Sequence, residues 1–254
     1  ASAANLWVSE NLNLSSITTM QTNVTVQDTS GDNVITGAAD TSNLQTYNFS
    51  KGGADTFVAS SGTIDEKVVA KSSTGSVDAT FGAGAATLEV GVSTSGAADD
   101  AVNVTATFDS PDGSTVQGTV YSNSTGSVDL EFGDFTKADD AADFTFDGDG
   151  DATVTFGDAI VDNDIAAVSI DHGGKGDLTL VGGQGFFDIN LDGASGAASI
   201  TLGDGGHNVT ASGTVLGDIS IEVGENLDND TTDDIPIGLI DLDASSGSNT
   251  ITVG

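Results

Sequence analysis

Asp177-Leu-Thr-Leu-Val181, Phe187-Asp-Ile-Asn-Leu191, Ala198-Ser-Ile-Thr-Leu202 and Asp218-Ile-Ser-Ile-Glu-Val223 are the stretches that decide the fold. Each alternates Leu, Ile, Val or Phe with Thr, Ser, Asp or Asn. In an extended chain that alternation puts the apolar side chains on one face and the polar ones on the other. From Asp177 the runs begin about every 10 to 12 residues, and glycine-containing turns close them at Gly182-Gly183, Gly193, Gly203, Gly213, Gly217 and Gly247. The same alternation recurs outward, in Ala101-Val-Asn-Val-Thr-Ala-Thr-Phe108, Ser127-Val-Asp-Leu-Glu-Phe132, Asp151-Ala-Thr-Val-Thr-Phe156 and Asn249-Thr-Ile-Thr-Val253. β-branched residues suit a pleated surface, and helix formers are sparse, so the chain reads as all-β.

Short strands at even spacing belong to a sandwich, a barrel or a solenoid. A sandwich mixes long and short connections and carries large aromatic core residues. This chain has one Trp and two Tyr, and its runs are built mainly of Val, Ile, Leu and Ala. Thin rungs under Gly, Asp and Asn corners favour a parallel β-solenoid, with β-sandwich domains as the alternative. Composition divides the chain into a Ser/Thr-rich β region at 1–140 and an Asp-rich solenoid region at 141–254. One continuous domain satisfies the same pattern.

The balance of charge is extreme: 39 Asp and Glu against five Lys and no Arg, for a net charge of −34. All but six of the acids are Asp (Glu10, Glu66, Glu89, Glu131, Glu222 and Glu225 are the exceptions). Residues 1–127 carry −10 and residues 128–254 carry −24. With no basic groove, nucleic acid is excluded as a partner, and anionic membrane surfaces are disfavoured. No apolar run is long enough to insert in a membrane as a helix. The absence of Cys removes disulfides, thiolate metal sites and Cys nucleophiles. The opening Ala1-Ser-Ala-Ala4 resembles a terminus left by signal-peptide cleavage, and an artificial terminus fits it equally; the composition is what favours secretion.

Asp tolerates tight turns, and its oxygens suit Ca²⁺. The sharpest motif is Asp147-Gly-Asp-Gly-Asp151 followed by Asp158. Counted from Asp147, its carboxylates fall at positions 1, 3, 5 and 12 of the EF-hand schedule. Ala152 stands where that loop needs Gly, and the flanks read as strands, so the expectation is a calcium loop between strands rather than an EF-hand. Further candidate ligands are Asp162 and Asp164, Asp188 and Asp192, and Asp228, Asp230 and Asp233. An acidic, solvated turn without an ion is the alternative at each. His172 and His207 sit beside glycines and read as loop side chains. Catalysis has little support: there is no G-x-S-x-G, no P-loop and no Arg, so no enzyme is expected.

Gly31-Asp-Asn-Val-Ile-Thr-Gly37, Gly53-Ala-Asp-Thr-Phe57 and Gly247-Ser-Asn-Thr-Ile-Thr-Val-Gly254 resemble pieces of the repeats in bacterial or archaeal surface-layer and adhesin-type proteins. They also resemble, loosely, the calcium-binding RTX β-roll family. That family's G-G-x-G-x-D-x-U-x nonapeptide is missed by one residue in Gly173-Gly-Lys-Gly-Asp177 and in Gly182-Gly-Gln-Gly-Phe-Phe-Asp188, and no tandem array exists. The resemblance implies a secreted structural protein of a cell-surface layer or extracellular filament, stabilised and assembled by calcium. Its copies would self-assemble into a lattice or filament. The alternative is a calcium-dependent adhesin module that binds a cell-surface glycan or a host surface. Trp7, in Asn5-Leu-Trp-Val-Ser-Glu-Asn-Leu-Asn-Leu14, is the candidate assembly anchor if that strand is donated to a neighbour; an ordinary first strand is the alternative.

Overall fold

The computed structural model describes residues 4–254 except 20–21, 40–42, 61–64, 73, 94–97, 110–112, 136, 138–139, 159–166, 212–216, 225–238 and 243–246. Among the described residues, 22 strands alternate strictly between two sheets. The first sheet holds β1 (Ala4–Val8), β3 (Val24–Asp28), β5 (Gln45–Phe49), β7 (Glu66–Ala70), β9 (Ala86–Val90), β11 (Thr115–Val120), β13 (Ala141–Phe146), β15 (Ala167–His172), β17 (Phe187–Asn190), β19 (Asn208–Thr210) and β21 (Leu239–Asp241). The second holds β2 (Asn11–Asn13), β4 (Val34–Thr36), β6 (Ala54–Val58), β8 (Ser76–Phe81), β10 (Asn103–Phe108), β12 (Val128–Phe132), β14 (Ala152–Phe156), β16 (Leu178–Gly182), β18 (Ala198–Leu202), β20 (Ile219–Val223) and β22 (Asn249–Val253). Every strand pairs in parallel with the next strand but one, as in β10 with β8 and β12. The chain is a parallel β-solenoid, each coil giving one strand to each sheet. Both sheets run through residue 140 without a break, since β11 pairs with β13 and β12 with β14. Among the described residues no helix is long and apolar enough to cross a membrane.

Because the strands are in register, each inward position becomes a column along the axis. One column is Ala79, Ala106, Leu130, Val154, Leu180, Ile200 and Ile221, every member buried. A second is Phe81, Phe108, Phe132 and Phe156. Their ring centroids lie 4.7, 4.6 and 4.3 Å apart, with planes within 12° of parallel. That separation is the inter-strand distance of about 4.8 Å, so the ladder itself imposes the stack. Phe144 from the opposite sheet packs across the stack, its plane at 73° to Phe108 and 79° to Phe132, an edge-type arrangement that aromatic pairs favour. The expected core, built mainly of Val, Ile, Leu and Ala, is therefore corrected: its axis is aromatic from Tyr47 to Phe187. Phenylalanine at inward positions of short alternating runs was present in the sequence. Its significance depends on register, which no single run reveals.

A glycine column marks the corner that leads from the first sheet to the second. Gly126, Gly150, Gly176, Gly196, Gly217 and Gly247 stack on successive coils, and a Cβ on any of them would overlap a carbonyl oxygen of the coil before. None of the six has a left-handed backbone, so the requirement is close approach alone. Seven residues on from each is another glycine: Gly133, Gly157, Gly183, Gly203, Gly224 and Gly254. The pair brackets one strand of the second sheet. This Gly-x6-Gly spacing is the clearest sequence mark of the repeat.

Candidate functional site

The carboxylates are organised by the corners. Just before the strands of the second sheet, a side-chain oxygen of one coil accepts the backbone N–H at the same position of the next. Asp32 accepts from Ala54 at 2.9 Å, Asn103 from Ser127 at 3.0 Å, and Asp151 from Asp177 at 3.0 Å. Asp177 in turn accepts from Ala197, and Asp218 from Ser248, both at 2.8 Å. At the opposite corner Asp134 accepts from the Asp158 N–H at 3.0 Å and Asp158 from that of Gln184 at 3.1 Å. Where the chain bends out of the ladder, a backbone N–H loses its carbonyl partner, and a side-chain oxygen supplies the missing acceptor. Asp holds its carboxylate one methylene nearer the backbone than Glu does, which suits a partner one coil away. That gives the Asp excess a structural use.

Asp147, Asp149 and Asp151 share the corner between β13 and β14. Asp158 lies at the other corner, beyond the length of β14, about 17 Å of strand. The 1-3-5-12 schedule is thus divided between two edges of the solenoid. Oδ1 of Asp147 lies against Gly173. Asp149 pairs with Lys175 at 2.6 Å, an exposed contact worth at most about 1 kcal/mol. Asp188 points outward from β17, and Asp192 is exposed in the following turn, its N–H donating to Asn190 Oδ1 at 3.1 Å. Asp162, Asp164, Asp228, Asp230 and Asp233 lie outside the described residues. Among the described residues no group of three or more His, Asp or Glu side chains is arranged to hold a metal ion. Trp7 is 66% exposed on β1, which pairs with β3 of its own chain through Trp7 and Gln27.

Asp151→Ala is expected to lower stability by about 1 kcal/mol, the net value of an inter-coil hydrogen bond. Asp151→Asn keeps the acceptor oxygen and should restore stability in urea unfolding, whereas a role confined to cation binding would make Asn as damaging as Ala.

Several titratable side chains are buried without having been legible as such. His172 and His207, read from sequence as loop side chains, are 2% and 4% exposed. They occupy opposite corners, His172 at the end of β15 and His207 just before β19. Burial pushes both imidazoles below their usual pKa, against the pull of Asp147 and Asp177 on His172 and of Asp204 on His207. The Phe146 and Gly176 carbonyls approach the His172 ring, yet neither ring nitrogen makes a hydrogen bond of normal geometry.

Glu66, the first residue of β7, points inward and is 2% exposed. Beside it Gln45 accepts the Ala38 N–H at 3.0 Å and donates to the Ala38 carbonyl at 3.2 Å, while Tyr47 donates its hydroxyl to Gln45 Oε1. Ser60 donates to the same Ala38 carbonyl at 2.6 Å. Glu66 Oε1 lies against Gly37 with no hydrogen-bond partner. Burial pushes the Glu66 carboxyl up to about 8, although the Gly82 N–H favours the charged form. Desolvation, and then the nearby Glu66, push the Tyr47 hydroxyl up as well.

Compared with known proteins, the chain matches no family model, no curated protein and no solved structure.

Proposed function

We propose that this chain is a secreted structural protein of a cell-surface layer or extracellular filament, a stiff acidic rod whose copies are held together by calcium. The observation that carries the reading is the pair of 11-stranded parallel sheets stacked in register around one continuous core. Such a coil stack resists bending because every rung is tied to its neighbours by backbone ladders, stacked rings and corner carboxylates. A net charge of −34 keeps copies apart unless cations intervene. In this reading Ca²⁺ bridges exposed carboxylates such as Asp188 and Asp192 on facing copies, rather than filling a closed loop within one chain. The loose resemblance to surface-layer repeats supports an extracellular setting and a non-catalytic role.

Extracellular calcium modules bind in the range of about 10⁻⁴ to 10⁻³ M. Ligand at about 100 times the dissociation constant stabilises the species it binds by about 2.7 kcal/mol per site. CaCl₂ at about 10 mM, roughly 10 to 100 times those constants, is therefore expected to raise the melting temperature and to shift sedimentation toward larger species, and EGTA should reverse both. Indifference of Tm and sedimentation to CaCl₂ and EGTA would rule this reading out. The alternative, an adhesin module holding a glycan, draws on a groove in the second sheet.

A further inference from the structure

A groove of about 320 Å³ lies across β16, β18 and β20 and extends to β22, at the edge where the second sheet meets its corner. It exists because the corner column is interrupted there. Asp177 and Asp218 stand in that column two coils apart, and the position between them is Ala197, too short to fill its place. The opposite wall is an outward row on the sheet itself, Thr179, Ser199 and Ser220, in register and exposed.

We propose that this groove binds a neutral, extended glycan chain laid along the solenoid axis. The wall offers one hydroxyl per coil, about every 4.8 Å, close to the length of one pyranose unit in an extended chain. Each hydroxyl both donates and accepts, as does each hydroxyl of a sugar. The flanking carboxylates are held in place by the backbone: Asp177 by the Ala197 N–H and Asp218 by the Ser248 N–H, both at 2.8 Å. Fixed acceptors lose little freedom on binding, and a carboxylate accepts from two neighbouring sugar hydroxyls at once. The volume falls within the range of small-ligand sites, about 300 to 1,000 Å³.

Charge selects among polymers. A chain at −34 repels an anionic polysaccharide. A basic peptide would gain most from an unbroken row of carboxylates, such as Asp151 followed by Asp177. Here the row is broken at Ala197 and faced by uncharged hydroxyls. A neutral chain that needs hydrogen bonds more than counter-charge fits that arrangement.

The proposal does not rest on calcium-dependent assembly, so it is tested in EGTA on the whole 254-residue chain. The probes are native affinity electrophoresis and titration calorimetry with a soluble mixed-linkage β-glucan and with dextran, against polygalacturonate and oligolysine. At least one neutral glycan should retard the protein, and polygalacturonate should not. Ala197→Asp completes the corner column and fills the groove, and is expected to weaken binding about tenfold or more while leaving Tm nearly unchanged. Ser199→Ala removes one hydroxyl without adding charge and should also weaken it. The proposal is overturned by failure of both neutral glycans to bind, by equal binding of both variants, or by binding to oligolysine alone.

Discussion

Gly150→Val is expected to destabilise the solenoid by about 3 kcal/mol or more, the upper range for forcing extra atoms into a packed site. Its Cβ would overlap the Gly126 carbonyl oxygen and sit 2.9 Å from the Thr125 carbonyl carbon. Backbone atoms cannot swing aside as a flexible side chain can, so the two coils would have to separate. That separation would break the ladder between β12 and β14 and unstack Phe132 from Phe156, whose rings are 4.3 Å apart. Gly150→Ala should show most of the same loss, because the first carbon already collides. Thr179→Val, outward on β16, serves as the control and should stay within about 0.5 kcal/mol. Urea unfolding followed by far-UV circular dichroism reads all three. A Gly150→Ala protein as stable as the control would mean that the coils are not in this register.

The second large effect concerns Glu66. Its carboxyl titrates near 8 in the folded chain and near 4.5 when free of burial. Between those values the folded state keeps a proton that the unfolded state has released. Folding is therefore favoured below the unfolded pKa, and that advantage is lost as pH rises toward about 8. The slope approaches about 1.4 kcal/mol per pH unit over the window. Glu66→Gln has the same shape and accepts the Gly82 N–H, but it does not titrate. The difference in unfolding free energy between the variant and the parent should grow in the variant's favour from pH 5 to pH 8, reaching a few kcal/mol. A difference that stays flat across that range would place Glu66 in contact with solvent. Glu66→Ala separates the charge from the packing: it also removes the pH dependence, and leaves a cavity beside Tyr47 and Gln45.

The two effects have different visibility in the chain. Gly150 belongs to the Gly-x6-Gly spacing that brackets β14, and the runs from Gly126 to Gly254 carry that spacing six times. Its role was thus written in the sequence as a repeat, although what the glycine touches was not. Glu66 offers no such mark. It begins a short strand, Glu66–Ala70, in which a charged residue at either face is equally compatible with alternation. Only the pairing of Glu66 with Gln45 on one side and Ala86 on the other sets it inward.

The carboxylates show the same division. Asp147, Asp149, Asp151 and Asp158 have the spacing of one calcium loop when counted along the chain. A strand intervenes, and the fold assigns them to two edges. Asp151 meets Asp177 instead, from the next coil, because the corners repeat in space rather than in sequence.

By itself the sequence determined that the chain is all-β and favoured a solenoid over a sandwich, since alternation with period two and an even rhythm of glycine turns are local properties of neighbouring residues; the parallel pairing of every strand with the next but one settled the choice. The large negative charge and the exclusion of thiol chemistry were equally local. The tertiary structure alone decided which residues of different coils meet. Val168 pairs with Phe187 and Asn208 with Leu239, so successive coils differ in length from 19 to 31 residues. Register across such unequal coils is chosen by packing, as rings, glycines and carboxylates each find their counterpart one strand spacing away.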